Sequence, residues 1–162
     1  MPNKVIYFDN AATTKPLPEV IKAYNEALNS SFANPSSVHT LGAKSGRDLS
    51  KAREDILKSF KLTNYDLIFT SGASESNNLA IKGIAYRYKK NGKHIITSVV
   101  EHPSVLNVFK ELEKEGFEVS YIGVDASGKI DLDEFKAALR KDTILVSVMA
   151  VNNEVGTLMP IK

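Results

Sequence analysis

Short apolar runs of strand length alternate with stretches of helical periodicity along this 162-residue chain. Parallel strands need crossover connections of a dozen or more residues, and strands covered on both faces have near-continuous apolar sequences. The alternation therefore predicts an α/β fold of three layers, in which a parallel-rich sheet carries helices on both faces. The predicted strands are 5–8, 66–70, 94–98, 117–122 and 144–148, and the first four predicted helices are 18–28, 39–60, 74–89 and 103–115. A fifth predicted helix is capped by Asp131 or Asp133 and runs through Leu139. No repeat, low-complexity tract or linker interrupts the pattern, so we expect one α/β unit.

Composition excludes several functional classes. The 21 Lys and Arg residues nearly balance the 19 Asp and Glu residues, which does not favour nucleic acid as the main partner. Cysteine is absent, so this chain supplies no disulfide, thiolate metal site or cysteine nucleophile. The three histidines are scattered, and we expect no metal site. No apolar run approaches the roughly 18 residues of a membrane span, and no export signal begins the chain, so we expect a cytoplasmic protein without membrane partners.

Three loops at the ends of predicted strands concentrate small and polar residues. Segment 70–77 opens a helix, where free N–H groups and the helix dipole favour an anion such as phosphate. Simple N-capping by Ser71 or Ser74 explains the same residues without a ligand. In segment 101–103, His102 could stack on a planar ligand or exchange protons, or it could be an ordinary surface histidine. Segment 150–157 could bind a ligand through its paired amides, or it could be a polar turn ending at Gly156.

Five segments in this order resemble the motifs of one enzyme family. They are Tyr7-Phe8-Asp9-Asn10-Ala11-Ala12-Thr13-Thr14, Asn34-Pro35-Ser36-Ser37-Val38-His39, residues 69–80, Glu101-His102, and Val151-Asn152-Asn153-Glu154-Val155-Gly156. The family is that of the cysteine desulfurases of the NifS/IscS type, which are pyridoxal-phosphate (PLP) enzymes of the class V aminotransferase family and of fold type I. The resemblance covers essentially the whole chain.

The resemblance implies roles for individual residues. Ala73 and Ser74 would hold the phosphate of PLP. His102 would stack on the pyridine ring and assist proton transfer, and Asn153 would hydrogen-bond the ring hydroxyl. Asn10, Ala11 and Asn34 would lie near the mouth through which substrate enters.

The resemblance also implies what this sequence lacks. Family members are more than twice as long, and their Schiff-base lysine, the aspartate that pairs with the pyridinium nitrogen and the catalytic cysteine come after the point matched by the end of this chain. We therefore expect residues 1–162 to be part of a PLP-dependent transferase large domain, with the small domain largely absent, and to be inactive alone.

Three functional hypotheses follow. In the first, the parent enzyme is a homodimer that converts L-cysteine to alanine and passes sulfur to an acceptor such as an iron–sulfur scaffold protein. In the second, the parent is a selenocysteine lyase or another class V enzyme. In the third, the chain is a noncatalytic binding or dimerisation module.

Overall fold

The computed structural model describes residues 5–161, and the chain divides into two compact units, Met1–Phe69 and Thr70–Lys162. The first unit contains two helices, α1 (Pro18–Ser30) and α2 (Thr40–Ser59). Helix α1 begins with Pro18 directly after its N-cap, where a missing N–H costs least. Helix α2 is capped by His39, whose imidazole accepts a hydrogen bond from the amide of Gly42.

The second unit contains the α/β fold. Its elements are, in order, α3 (Ala73–Tyr88), β1 (His94–Ser98), α4 (Pro103–Lys114), β2 (Glu118–Ile122), α5 (Leu132–Ala138) and β3 (Thr143–Ser147). The strands form a three-stranded sheet in the order β2-β1-β3, and β1 is parallel to both neighbours. The predicted α/β class with a parallel sheet is therefore confirmed, and it lies in this second unit.

The two faces of the sheet carry separate hydrophobic cores. On one face, Ile95 packs with Ile81 of α3 and with Phe109 and Leu112 of α4. On the other face, the next residue of β1, Ile96, packs with Phe135 of α5 and with other apolar residues (Ile122, Ile130 and Met159). Successive side chains of a strand point to opposite faces, so every residue of β1 is buried between two layers.

Helix ends in this unit follow local chemistry. The Asp131 side chain accepts hydrogen bonds from the amides of Asp133 and Glu134, so it is Asp131 that caps α5. Gly116 follows α4 with a φ of 86°, a left-handed conformation that glycine adopts at little cost. Within residues 5–161, no helix is long and apolar enough to cross a membrane.

Two predicted strands, 5–8 and 66–70, are wrong. Both segments are irregular in the structure, and both expose large apolar side chains such as Phe8 and Ile68. Apolar composition alone does not make a strand, because a neighbouring strand must pair with its backbone N–H and C=O groups. Within residues 5–161, neither segment has such a neighbour.

Candidate functional site

The connections that leave β1 and β3 run to opposite faces of the sheet. After β1 the chain enters α4, which packs with α3 on one face. After β3 it runs to Met159, which is buried on the other face with α5. Neighbouring parallel strands whose outgoing connections separate in this way leave a crevice at their carboxyl ends, and open α/β sheets bind ligands there. The candidate site is therefore at the carboxyl ends of β1 and β3.

Glu101 joins the two loops of this crevice. Its side chain is 6% exposed, and its Oε1 atom accepts hydrogen bonds from Ser98 Oγ at 3.0 Å and from the Met149 amide at 2.6 Å. A carboxylate is costly to bury unless it accepts such hydrogen bonds. Glu101 thus ties the loop after β1 to the segment after β3 and holds the residue beside it, His102, at a fixed place.

Asn152 makes a second link between the same loops. Its Oδ1 atom accepts from the amides of Glu154 and Val155, at 2.9 and 3.0 Å, and its Nδ2 atom donates to the carbonyl of Val100 at 3.3 Å. The chain turns back here, because Val151 pairs with Leu158 in an antiparallel bridge and Gly156 has a φ of 75°. The paired amides therefore divide their roles: Asn152 is buried and forms the turn, whereas the side chain of Asn153 is exposed.

The amino end of α3 lacks a side-chain cap. Gly72 is the N-cap residue, and no side chain of the described residues caps the helix there. Ala73 and Ser74 follow it and are exposed, so their N–H groups are open to a ligand. Capping by Ser71 or Ser74, the alternative explanation of these serines, does not occur. The site therefore has the free donors and the positive dipole end that suit a phosphate.

Glu75 lies in the first turn of α3 without occupying those donors. Its Oε2 atom accepts hydrogen bonds from the Ser71 amide at 2.6 Å and from the Ser71 hydroxyl at 2.7 Å. These hydrogen bonds, from the amide first and then the hydroxyl, lower the pKa of the Glu75 carboxyl below its ordinary value. Thr70 Oγ1 hydrogen-bonds Ser76 Oγ at 2.7 Å, which closes the turn further.

His102 is the N-cap residue of α4, and hydrogen bonds link it to α3. Its Nδ1 atom accepts from the Ser104 amide at 3.1 Å and lies 2.8 Å from Ser104 Oγ. Asn77 of α3 donates from Nδ2 to the same Ser104 Oγ at 2.9 Å. The first turns of α3 and α4 are thus joined side by side, and the exposed imidazole belongs to the same group of residues as the open end of α3.

The three predicted residues of the substrate mouth lie in the first unit, which is described by itself. Asn10 and Ala11 are exposed in a turn closed by hydrogen bonds to the Asp9 carbonyl. Asn34 is also exposed, and its Oδ1 atom accepts from the Ser36 amide at 2.9 Å. Gly42 lets α2 approach this loop, because a Cβ atom there would meet Ser37 and the Asn34 carbonyl.

Four residues of the site gain their importance only from tertiary contacts. Glu101 and Asn152 belong to two of the five motifs, but the sequence does not show that their side chains are buried and join the loops after β1 and β3. Asn77 and Ser104 are 27 residues apart, and no local spacing connects them. Only the contact between Ser104 and His102 had a local signal in the sequence. Ser104 comes two residues after the histidine that caps α4, and at this spacing the Ser104 amide can reach the imidazole.

A doubly wound parallel sheet, with an open helix end and polar loops at its carboxyl edge, defines an α/β protein with a candidate site for an anionic ligand. Residues 6–162 match the family described as aminotransferase class-V, and the chain belongs to that family. The resemblance drawn from the five motifs is thereby confirmed.

Relatives and solved structures agree with this membership. The chain is 50% identical over 157 residues to a protein named cysteine desulfurase IscS from Dictyoglomus turgidum, which covers 97% of this chain and 40% of the relative. A solved structure of a NifS-like protein superposes with a TM-score of 0.90 at 39% identity, covering 96% of this chain and 43% of that one. A structure described as SspA in complex with cysteine gives a TM-score of 0.83 at 41% identity, covering 96% of this chain and 45% of that one. The chain thus spans about two fifths of the length of the curated relatives it matches.

Proposed function

We propose that this chain forms the phosphate-binding and ring-binding side of a PLP-dependent cysteine desulfurase, as part of its large domain. The observation that carries the proposal is the uncapped amino end of α3, joined through Asn77 and Ser104 to the imidazole of His102. Open N–H groups that can bind a phosphate, joined by hydrogen bonds to an aromatic ring, suit a planar phosphorylated cofactor. The family membership and the relatives named cysteine desulfurase support the same reaction class.

The residues present fit the proposed cofactor. The open amides of Ala73 and Ser74, with the Ser74 hydroxyl, would hold its phosphate, and His102 would lie against its ring. Asn153 is exposed in the turn made by Asn152, and its Nδ2 atom donates to Glu154 Oε1 at 2.9 Å; with the cofactor bound, Asn153 would donate to the ring hydroxyl. When bound, PLP supplies an electron sink that allows bonds of an amino-acid substrate to be broken. This chain's part is to bind and orient the cofactor and to hold the loops around it.

The substrate and partners belong to the same proposal. We infer that the complete protein acts on L-cysteine, which the structure described as SspA in complex with cysteine supports. Asn10, Ala11 and Asn34 would line the entrance for that substrate. The sulfur acceptor would be a protein such as an iron–sulfur scaffold, in keeping with the IscS names, and the complete protein would be a homodimer.

Equilibrium binding of PLP to this chain tests the proposal. We expect saturable binding, and we expect Ser74→Asp to weaken it about tenfold or more, because the new carboxylate would occupy the positive end of α3 and repel the phosphate. Ser50→Asp, at an exposed position of α2 in the first unit, is the matched control and should bind as the unaltered chain does. Pyridoxal without its phosphate should bind as weakly to the unaltered chain as to the variant.

Two outcomes would contradict the proposal. Equal binding of PLP by Ser74→Asp and the unaltered chain would show that the amino end of α3 does not bind the phosphate. The absence of binding by either protein would favour a noncatalytic binding or dimerisation module.

Because the sequence has no cysteine, we expect this chain alone to release no sulfide from L-cysteine. A selenocysteine lyase, or another class V enzyme, shares the cofactor site, and a preference for selenocysteine over cysteine by the complete protein would favour it.

A further inference from the structure

The hydrogen bonds to His102 determine which of its ring nitrogens carries the proton. A backbone N–H can only donate, so the 3.1 Å contact from the Ser104 amide requires Nδ1 of His102 to be an acceptor. The proton of the neutral ring is then on Nε2. No group of residues 5–161 hydrogen-bonds that Nε2 atom, which leaves it available to a ligand.

The Ser104 hydroxyl reinforces this arrangement. Asn77 Nδ2 donates to Ser104 Oγ at 2.9 Å, which uses an acceptor position of the oxygen and leaves the hydroxyl proton free. That proton points to the remaining neighbour of the oxygen, Nδ1 of His102, at 2.8 Å. The Ser104 amide and the Ser104 hydroxyl therefore both donate to Nδ1 of His102, and the hydroxyl is oriented by Asn77 of α3.

The other two histidines lack this combination. His39 also caps a helix, and its Nδ1 atom accepts from the Gly42 amide at 3.2 Å without a hydroxyl beside it. His94 has a hydroxyl at each ring nitrogen, at 2.7 Å on Nδ1 and 2.8 Å on Nε2, so neither tautomer is imposed. The arrangement around His102 is thus specific to the candidate site.

We propose that Asn77 and Ser104 are positioning residues that hold His102 in the Nε2–H tautomer, so that its ring presents the Nε2–H group, and not a lone pair, at the candidate site. The chemical role rests on the proposed function, but the tautomer does not. Proton transfer by His102, expected from the resemblance, stays a prediction.

Nitrogen NMR of the chain labelled with 15N-histidine tests the tautomer directly. Long-range 1H–15N spectra distinguish a protonated ring nitrogen from an unprotonated one, and single His→Gln variants assign the three rings. The spectra are recorded about two pH units above the ordinary imidazole pKa of about 6.5, where the rings are neutral. If the chain associates, magic-angle-spinning spectra of the sedimented protein report the same shifts.

We expect unprotonated Nδ1 and protonated Nε2 for His102 in the unaltered chain. Ser104→Ala should lower the ratio of the Nε2–H to the Nδ1–H tautomer about fivefold, the value of one net hydrogen bond. Asn77→Asp should lower it similarly, because a carboxylate would attract the hydroxyl proton away from the ring. Ser104→Thr keeps the hydroxyl and should restore the ratio, and the signals of His39 should not change in any of these variants.

Two results would overturn the proposal. One is a protonated Nδ1 of His102 in the unaltered chain, and the other is a tautomer ratio that Ser104→Ala leaves unchanged, including the case in which this variant lowers stability to urea through a merely structural effect. If the unaltered chain does not bind PLP but its His102 has the Nε2–H tautomer, the proposed function is rejected and this inference stands. If the chain binds PLP but Nδ1 of His102 is protonated, only this inference is rejected.

Discussion

At the residue scale, His94 shows how a polar side chain is kept in the centre of the sheet. It is 1% exposed, and its ring nitrogens hydrogen-bond Thr143 of β3 and Ser120 of β2. A neutral imidazole can satisfy both neighbours, because a hydroxyl can donate or accept. His94 therefore links the first residue of β3 to the middle of β2, and it lies at the amino end of β1, whereas the candidate site is at the carboxyl end.

The environment of His94 predicts a pH-dependent stability. Burial lowers the pKa of His94 below 6.5, Arg140 lowers it further, and Asp142 and Glu118 oppose the shift. Since the unfolded chain takes up the proton first, the stabilisation is complete above pH 6.5 and is lost as the pH falls below it, at up to about 1.4 kcal/mol per pH unit. Urea unfolding between pH 8 and pH 5 measures this. His94→Gln should lack that part of the slope, and equal slopes for the two proteins would contradict the prediction.

At the element scale, two glycines show two different effects on stability. Gly83 has open space beside it and affects only helix propensity, whereas Gly92 is required for close packing of the backbone. Gly83 is inside α3, and a Cβ atom built there meets nothing within 4 Å. Gly92 precedes β1, and a Cβ atom there would collide with the carbonyl of Asp142, where the chain enters β3. The close approach at Gly92 lets the loops at the amino ends of β1 and β3 lie side by side.

Alanine at these two positions should therefore act in opposite directions. Gly83→Ala should raise the free energy of unfolding by about 0.5–1 kcal/mol, since glycine is unfavourable inside a helix. Gly92→Ala should lower it by about 1–3 kcal/mol, because backbone must move to make room. Urea midpoints with unchanged slopes measure both effects. Destabilisation by Gly83→Ala, or an unaffected Gly92→Ala, would contradict the structure at that position.

At the scale of the whole molecule, the first unit presents apolar surface that residues 5–161 do not cover. The apolar residues of α1 follow helical spacing, yet Val20, Ile21, Tyr24 and Leu28 are 44–65% exposed. No residue of α1 is buried. Contiguous exposed apolar patches of this kind promote association.

We expect this chain to self-associate in solution, with sedimentation coefficients that rise with concentration. Replacing two residues of the apolar face, Ile21→Gln with Leu28→Gln, should reduce the association, because it removes apolar area without changing charge. Lys22→Arg, on the same helix, keeps the charge and the apolar face, so this control should leave the association unchanged. A monomer at all concentrations would show that the exposed face has no affinity for a second copy.

Sequence reasoning was most successful where local chemistry decides the structure. The helix starts at Pro18 and Pro103 followed from proline geometry, and the cap of α5 was narrowed to Asp131 or Asp133, of which the structure has Asp131. The parallel sheet followed from apolar runs separated by helices. It failed at 66–70, because the same apolar composition forms a strand only when another strand is beside it. For the site, the motif order identified the family, and the open end of α3 suited the anion expected there.

The sequence by itself determined the positions of the five helices and of three strands, and the family that the chain belongs to, because propensities, caps and ordered motifs act over a few residues. Only the tertiary structure decided that Asn152 forms a buried turn while Asn153 is exposed, that Glu101 joins two loops, and that Ser104 is shared by His102 and Asn77. The deciding hydrogen bonds, from Met149 to Glu101, from Asn152 to Val100 and from Asn77 to Ser104, join residues that are 48, 52 and 27 positions apart. They form only after the fold has brought their donor and acceptor atoms to within about 3 Å of one another.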